Sequence, residues 1–150
     1  MNHPSLIGST LRRSIALTAL AAAAAFGSPL PQQTTESDGV TIAVKPVDVA
    51  AKAARWSFRV SVSAGGQRVT DDLLRSAYLL NRAADRHEAP IGWKGDLAGR
   101  ARRTGVLSFK AVKPTPTAIE LRIERPGERA PRVFRWDLDC PCNDPSMHAS

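Results

Sequence analysis

The sequence predicts an all-β domain, an antiparallel β-sandwich of about seven strands behind a cleaved N-terminal leader. Three observations lead there. Short segments in which apolar and polar residues alternate recur through residues 39–139, the period of strands with one buried face. Pro- and Gly-rich turn signals separate these segments. Neither a glycine-rich nucleotide-binding motif, nor alternating strand and helix units, nor an internal repeat is found, which disfavours parallel α/β and solenoid architectures. With 150 residues in the chain, a body of roughly 120 residues remains after the leader, enough to bury about two-thirds of its unfolded surface in one core.

Residues 1–27 read as a signal peptide. Arg12 and Arg13 make its start positive, and Ile15 to Phe26 is Ala-rich and apolar. That run is about a dozen residues long, too short for a bilayer, which needs ~20. Small residues place cleavage after Ala25 or after Gly27, while Pro29 disfavours a cut directly before it. No Cys follows the run, which closes the lipoprotein route, and no other segment is apolar enough to cross a membrane. The expected location is the periplasm or the exterior. Residues 28–38, rich in Pro, Gln, Thr and Ser, then read as a flexible linker.

The strands follow in order. Val40, Ile42 and Val44 share one face of a first strand, which Pro46 is expected to end. Trp56, Phe58, Val60 and Val62 alternate with Ser57, Arg59, Ser61 and Ser63 in the clearest strand, and Gly65-Gly66 turns it. Residues 71–80 are ambiguous between helix and strand; a short turn over Asp71-Asp72 followed by a strand suits the neighbouring strands better. Residues 89–96 read as a loop or short strand, broken by Pro90, Gly92 and Gly95. Val106 to Val112 forms the next strand, stopped at Lys113-Pro114. Ile119, Leu121 and Ile123 point inward from another, a turn follows at Pro126-Gly127-Glu128, and Phe134, Trp136 and Leu138 point inward from the last. With only 5% aromatic residues, Trp56, Trp93 and Trp136 are the main markers of the core.

In this order the segments resemble a family of small exported bacterial immunoglobulin-like domains of unassigned function. Trp56-Ser57-Phe58, Asp72-Leu73-Leu74, the block Pro90 to Asp96, Gly105-Val106-Leu107-Ser108-Phe109 and Phe134-Arg135-Trp136 carry the likeness. It spans nearly the whole body, and the Trp-x-Gly-Asp to Gly-Val-Leu block is its distinctive part. The resemblance implies an immunoglobulin-like sandwich and an exported location. Family members tend to continue the block with a Pro/Gly turn and paired His before an Arg. Here residues 97–104 contain no His, so any ligand those His residues hold elsewhere has lost its partners.

The formal charge is +7, and removal of Arg12 and Arg13 with the leader lowers it by two, to +5. Such a balance favours anionic partners. Without aromatic residues interleaved among the cations, nucleic-acid binding is not expected, and export points the same way. Arg100, Arg102 and Arg103 form a basic knot which, in a loop beside Trp93 and Asp96, would meet phosphate, sulfate or an acidic partner surface. Asp71 and Asp72 suit a turn cap better than a Ca²⁺ site shared with Asp96. His87 reads as an exposed loop residue, and no histidine is in a motif with a nucleophile. In the tail, residues 140–150, Cys140 and Cys142 are spaced for a strained local disulfide, an intermolecular one or redox exchange. With Met147 and His148 they offer donors for copper or zinc.

The expectation is therefore an exported, non-enzymatic binding module without a cofactor. Its contact surface runs over Trp93, Asp96, Arg100, Arg102 and Arg103, towards an unidentified protein or anionic surface. The alternative is a periplasmic copper or zinc protein working through its tail.

Overall fold

The computed structural model describes residues 30–138. The leader, residues 1–27, and the tail, residues 140–150, with Cys140, Cys142, Met147 and His148, lie outside them. Within the described residues the order is β1 (Gln33–Ser37), β2 (Val40–Asp48), β3 (Arg55–Ser63), the single turn α1 (Leu73–Ser76), β4 (Ala77–Asn81), β5 (Arg86–Glu88), β6 (Pro90–Gly95), β7 (Arg102–Lys110), β8 (Ala118–Ile123) and β9 (Arg132–Asp137). All strand pairs are antiparallel. They form a five-stranded sheet in the order β1-β2-β3-β7-β6 and a four-stranded sheet in the order β5-β4-β8-β9. The protein is all-β, with two antiparallel sheets arranged as in a β-sandwich.

Alternation decides what lies between the sheets. Trp56, Phe58, Val60 and Val62 of β3 are fully buried, as are Leu107 and Phe109 of β7, Leu121 and Ile123 of β8, and Phe134 of β9. Phe58 meets Phe109 edge-on at 5.7 Å within its own sheet and Trp136 at 5.8 Å across the core. Val133 is 45% exposed, so β9 buries its even-numbered residues, as the sequence predicts.

Two strands were not foreseen. Part of the expected linker, Gln33–Ser37, is β1, an edge strand paired with β2. Its signal is Asp38-Gly39, a two-residue hairpin turn with φ of 51° and 71°, the left-handed values that Asp and Gly tolerate. The other is β5, whose Arg86, His87 and Glu88 show no apolar alternation because it too is an edge. β2 also runs on through Pro46 to Asp48. β1 stops pairing at Val44, so the strand has an open side there and the missing N–H is tolerated. Residues 71–81 divide into a capped helical turn and a strand: the Asp72 side chain accepts from the Leu74 N–H, and β4 begins at Ala77. No helix among the described residues is long and apolar enough to cross a membrane.

Candidate functional site

The β6–β7 hairpin gathers the residues singled out from the sequence, though not in an open loop. Trp93 and Gly95 on β6 and Arg103, Gly105 and Leu107 on β7 share the inner face. A Cβ on Gly105 would lie 2.5 Å from Cζ2 of Trp93, so the missing side chain is the seat of the indole. The indole Nε1–H donates to the Asp96 carbonyl at 3.0 Å. Arg103 covers the same ring at 4.8 Å from its centroid. Its guanidinium donates through Nε to the Asp96 carbonyl at 3.0 Å, and through a terminal nitrogen to the Asp71 carbonyl. Asp96 closes the hairpin, its Oδ2 accepting from the Thr104 N–H at 3.0 Å.

The expected basic loop is thereby corrected. Arg102 and Arg103 belong to β7, and Arg103 is only 8% exposed, with its donors turned to backbone carbonyls. A buried guanidinium needs such partners, and these hold it in place. Trp93, Asp96 and Arg103 lock the hairpin. Arg100, exposed, pairs through its carbonyl with the Val69 N–H, and Arg102 is exposed on the outer face.

From Asp71 a chain of ion pairs crosses between the sheets. Arg125 binds Asp71 at 2.9 Å and Glu128 at 3.0 Å, and Arg132 binds Glu128 at 2.6 Å. Arg132 also donates to the carbonyls of Thr35, Ser37 and Val40, tying the β1–β2 hairpin to β9. The Arg132 guanidinium holds the Glu128 carboxyl below the usual carboxylate range; burial opposes this and Arg125 adds to it. Burial pushes Arg125 down, but Asp71 and Glu128 outweigh it and raise its pKa.

The two outer faces differ in how their charges are arranged. On the four-stranded sheet, Glu120 is buried under arginines: Arg82 reaches it at 2.7 Å and Arg122 Nε at 2.6 Å, with Arg135 4.0 Å away. Burial opposes its ionisation, yet those two hydrogen bonds prevail and lower its pKa. Beside it Tyr78 and His87 stack at 4.2 Å. On the five-stranded sheet the outward residues of β2, β3, β6 and β7 include Lys45, Arg55, Arg59, Lys94, Arg102 and Lys110, all exposed. None of these six forms an ion pair among the described residues. Lys45, Arg59, Val106 and Lys94 are register partners in one row across four strands. At ~4.8 Å per strand the row is about 14 Å long. Ser57, Ser61, Thr104 and Ser108 lie between the cations, and the acids on the face are Glu36 and Asp48.

No protein-family model, curated protein or solved structure matches this chain. The chemistry of the face rests on its geometry. Hydroxylated and cationic, it can hold several anionic groups at once through charge-assisted hydrogen bonds. No group of three His, Cys, Asp or Glu is placed to hold a metal ion among the described residues. Arg59 was visible as an outward residue of the clearest strand, and Arg55 adds one residue to its start. Lys45, Lys94 and Lys110 join them only through the strand order, which alternation does not reveal.

Proposed function

We propose that the protein is an exported, non-catalytic binding module with an immunoglobulin-like sandwich, and that its partner is an anionic surface. Export is supported by the order of the leader: Arg12-Arg13, the apolar run and the small residues around Ala25 and Gly27. The immunoglobulin-like type is supported by Trp56-Ser57-Phe58 and the Trp93 to Phe109 block, set in two antiparallel sheets. The anionic partner is carried by one observation. On one outer face Arg82, Arg122 and Arg135 each have a carboxylate partner in Glu120 or Asp137, whereas the six cations of the other face have none among the described residues and are left to solvent. Unpaired like charges on one face repel one another, and a bound polyanion relieves that repulsion.

The contact surface moves accordingly from the Trp93–Arg103 segment to the neighbouring sheet face, retaining Arg102. The test is binding of the purified protein to cell-envelope fractions. The triple reversal Lys45→Glu/Arg59→Glu/Lys94→Glu is compared with Arg82→Glu/Arg135→Glu on the opposite face. Loss with the first set and retention with the second is expected. Equal binding by both sets overturns the assignment of the face.

A further inference from the structure

The outer face is not uniform, and a groove runs along β6 and β7. Arg55, Ile91, Gly92, Trp93, Lys94, Val106 and Ser108 line it. Gly92, outward and in register with Ser108, leaves the groove open: a Cβ there would meet nothing within 4 Å, and its φ is ordinary. Val106 supplies a small apolar floor, Ser108 a hydroxyl, and Arg55 and Lys94 stand towards opposite ends. Lys94 is level with Val106 and Arg55 with Lys110, four residues further along β7. At ~3.4 Å per residue the two cations are about 14 Å apart along the strand direction, the reach of an extended polymer segment.

We propose that this groove binds an acid-bearing polysaccharide, a chain of sugar rings carrying carboxylate, sulfate or phosphate groups. The inference rests on the anionic-partner reading above and adds the ligand class. A sugar ring offers an apolar C–H face for Val106 and the bare Gly92, hydroxyls for Ser108 and the adjoining Ser57, and acidic groups for Arg55 and Lys94. Other polyanions fit less well. Stacking of successive nucleic-acid bases needs a row of aromatic platforms; the aromatic residue at this groove is Trp93, which points to the inner face and lies against Arg103. Docking on a lipid surface uses large apolar side chains that enter the acyl boundary; Val47, Ile91 and Val106 are the apolar residues present here.

The test uses the purified protein and four probes at low and physiological salt: polygalacturonate, dextran sulfate, polyglutamate and phosphatidylglycerol vesicles, with uncharged dextran as the control. Alongside the wild type stands Gly92→Phe, which fills the groove and keeps the charge, with its folding checked by thermal unfolding. Arg55→Ala/Lys94→Ala is the second variant, chosen at exposed positions. Polygalacturonate or dextran sulfate should bind at physiological salt, and Gly92→Phe should weaken that binding about tenfold, 1.4 kcal/mol, while polyglutamate binding changes little. The double variant should weaken it at least as much. Polysaccharide binding that is no tighter than polyglutamate binding, or indifferent to Gly92→Phe, overturns the polysaccharide and leaves the cationic face standing. Binding to vesicles without binding to polysaccharide does the same. Failure of every anionic probe overturns both.

Discussion

Gly105 shows how much one absent side chain decides. Its missing Cβ leaves the seat of the Trp93 indole, with the Gly95 Cα and the Lys94 carbonyl both within 2.8 Å of where that atom would be. Backbone surrounds the position on two sides, so relaxation is restricted and an added methyl acts as overpacking. Gly105→Ala should therefore cost about 2 kcal/mol. The cost would be read as a lower urea midpoint with an unchanged m-value; an unchanged midpoint would mean that the indole moves aside freely. The same corner explains what the sequence conveyed about individual residues. Trp93, Asp96 and Arg103 stand out in the chain, and they do act together. The pattern places them in an open loop, whereas Arg103 is on an inner face, where an arginine breaks the apolar alternation. Apolar alternation starts the strand at Val106, whereas its inner row begins with Arg103. Polar partners such as the Asp71 and Asp96 carbonyls come from other segments, and no local pattern announces them.

Among the elements, the β8–β9 connection carries an electrostatic clamp. Glu128 sits between Arg125 and Arg132, and through Arg132 it holds the β1–β2 hairpin. Its folded pKa lies below the unfolded value of about 4.3. The stabilisation it gives is thus complete above that value and is lost as the pH falls through the folded one. Glu128→Gln should lower stability by about 2 kcal/mol at neutral pH, because the buried Arg132 then lacks its charge partner and Arg125 keeps only Asp71. The gap from wild type should close as the pH falls through the lowered folded pKa, where the wild-type carboxyl also takes up its proton. Unfolding free energies measured from neutral to acid pH check this, and a gap independent of pH would show that the carboxylate charge is not what matters. Strands with a clean inner row, β3, β8 and β9, were legible in the sequence to within a residue or two. β1 and β5 were not, since an edge strand buries little and its residues are free to be Thr, Glu, Arg or His. The Asp38-Gly39 turn was the available clue to β1.

At the scale of the whole molecule, composition announced a basic protein but not where the charge collects. That depends on β2, β3, β7 and β6 being neighbours, a matter of sheet order. Removing three face cations should weaken polyanion binding mostly through slower association, and added salt should slow the wild type in the same way. Stopped-flow measurements across a salt series check this; a variant whose deficit lies wholly in faster dissociation would contradict it. The reason returns to Glu120 and the arginines that neutralise it. With the arginines of one side of the sandwich paired to carboxylates and the cations of the other bare, the protein carries an asymmetry in how its charge is compensated. A polyanion at a distance exerts a torque on such a body as well as a pull. On the proposed reading, the molecule would be turned to present its open sheet before any contact is made, so that a polyanionic partner would meet a surface already facing it.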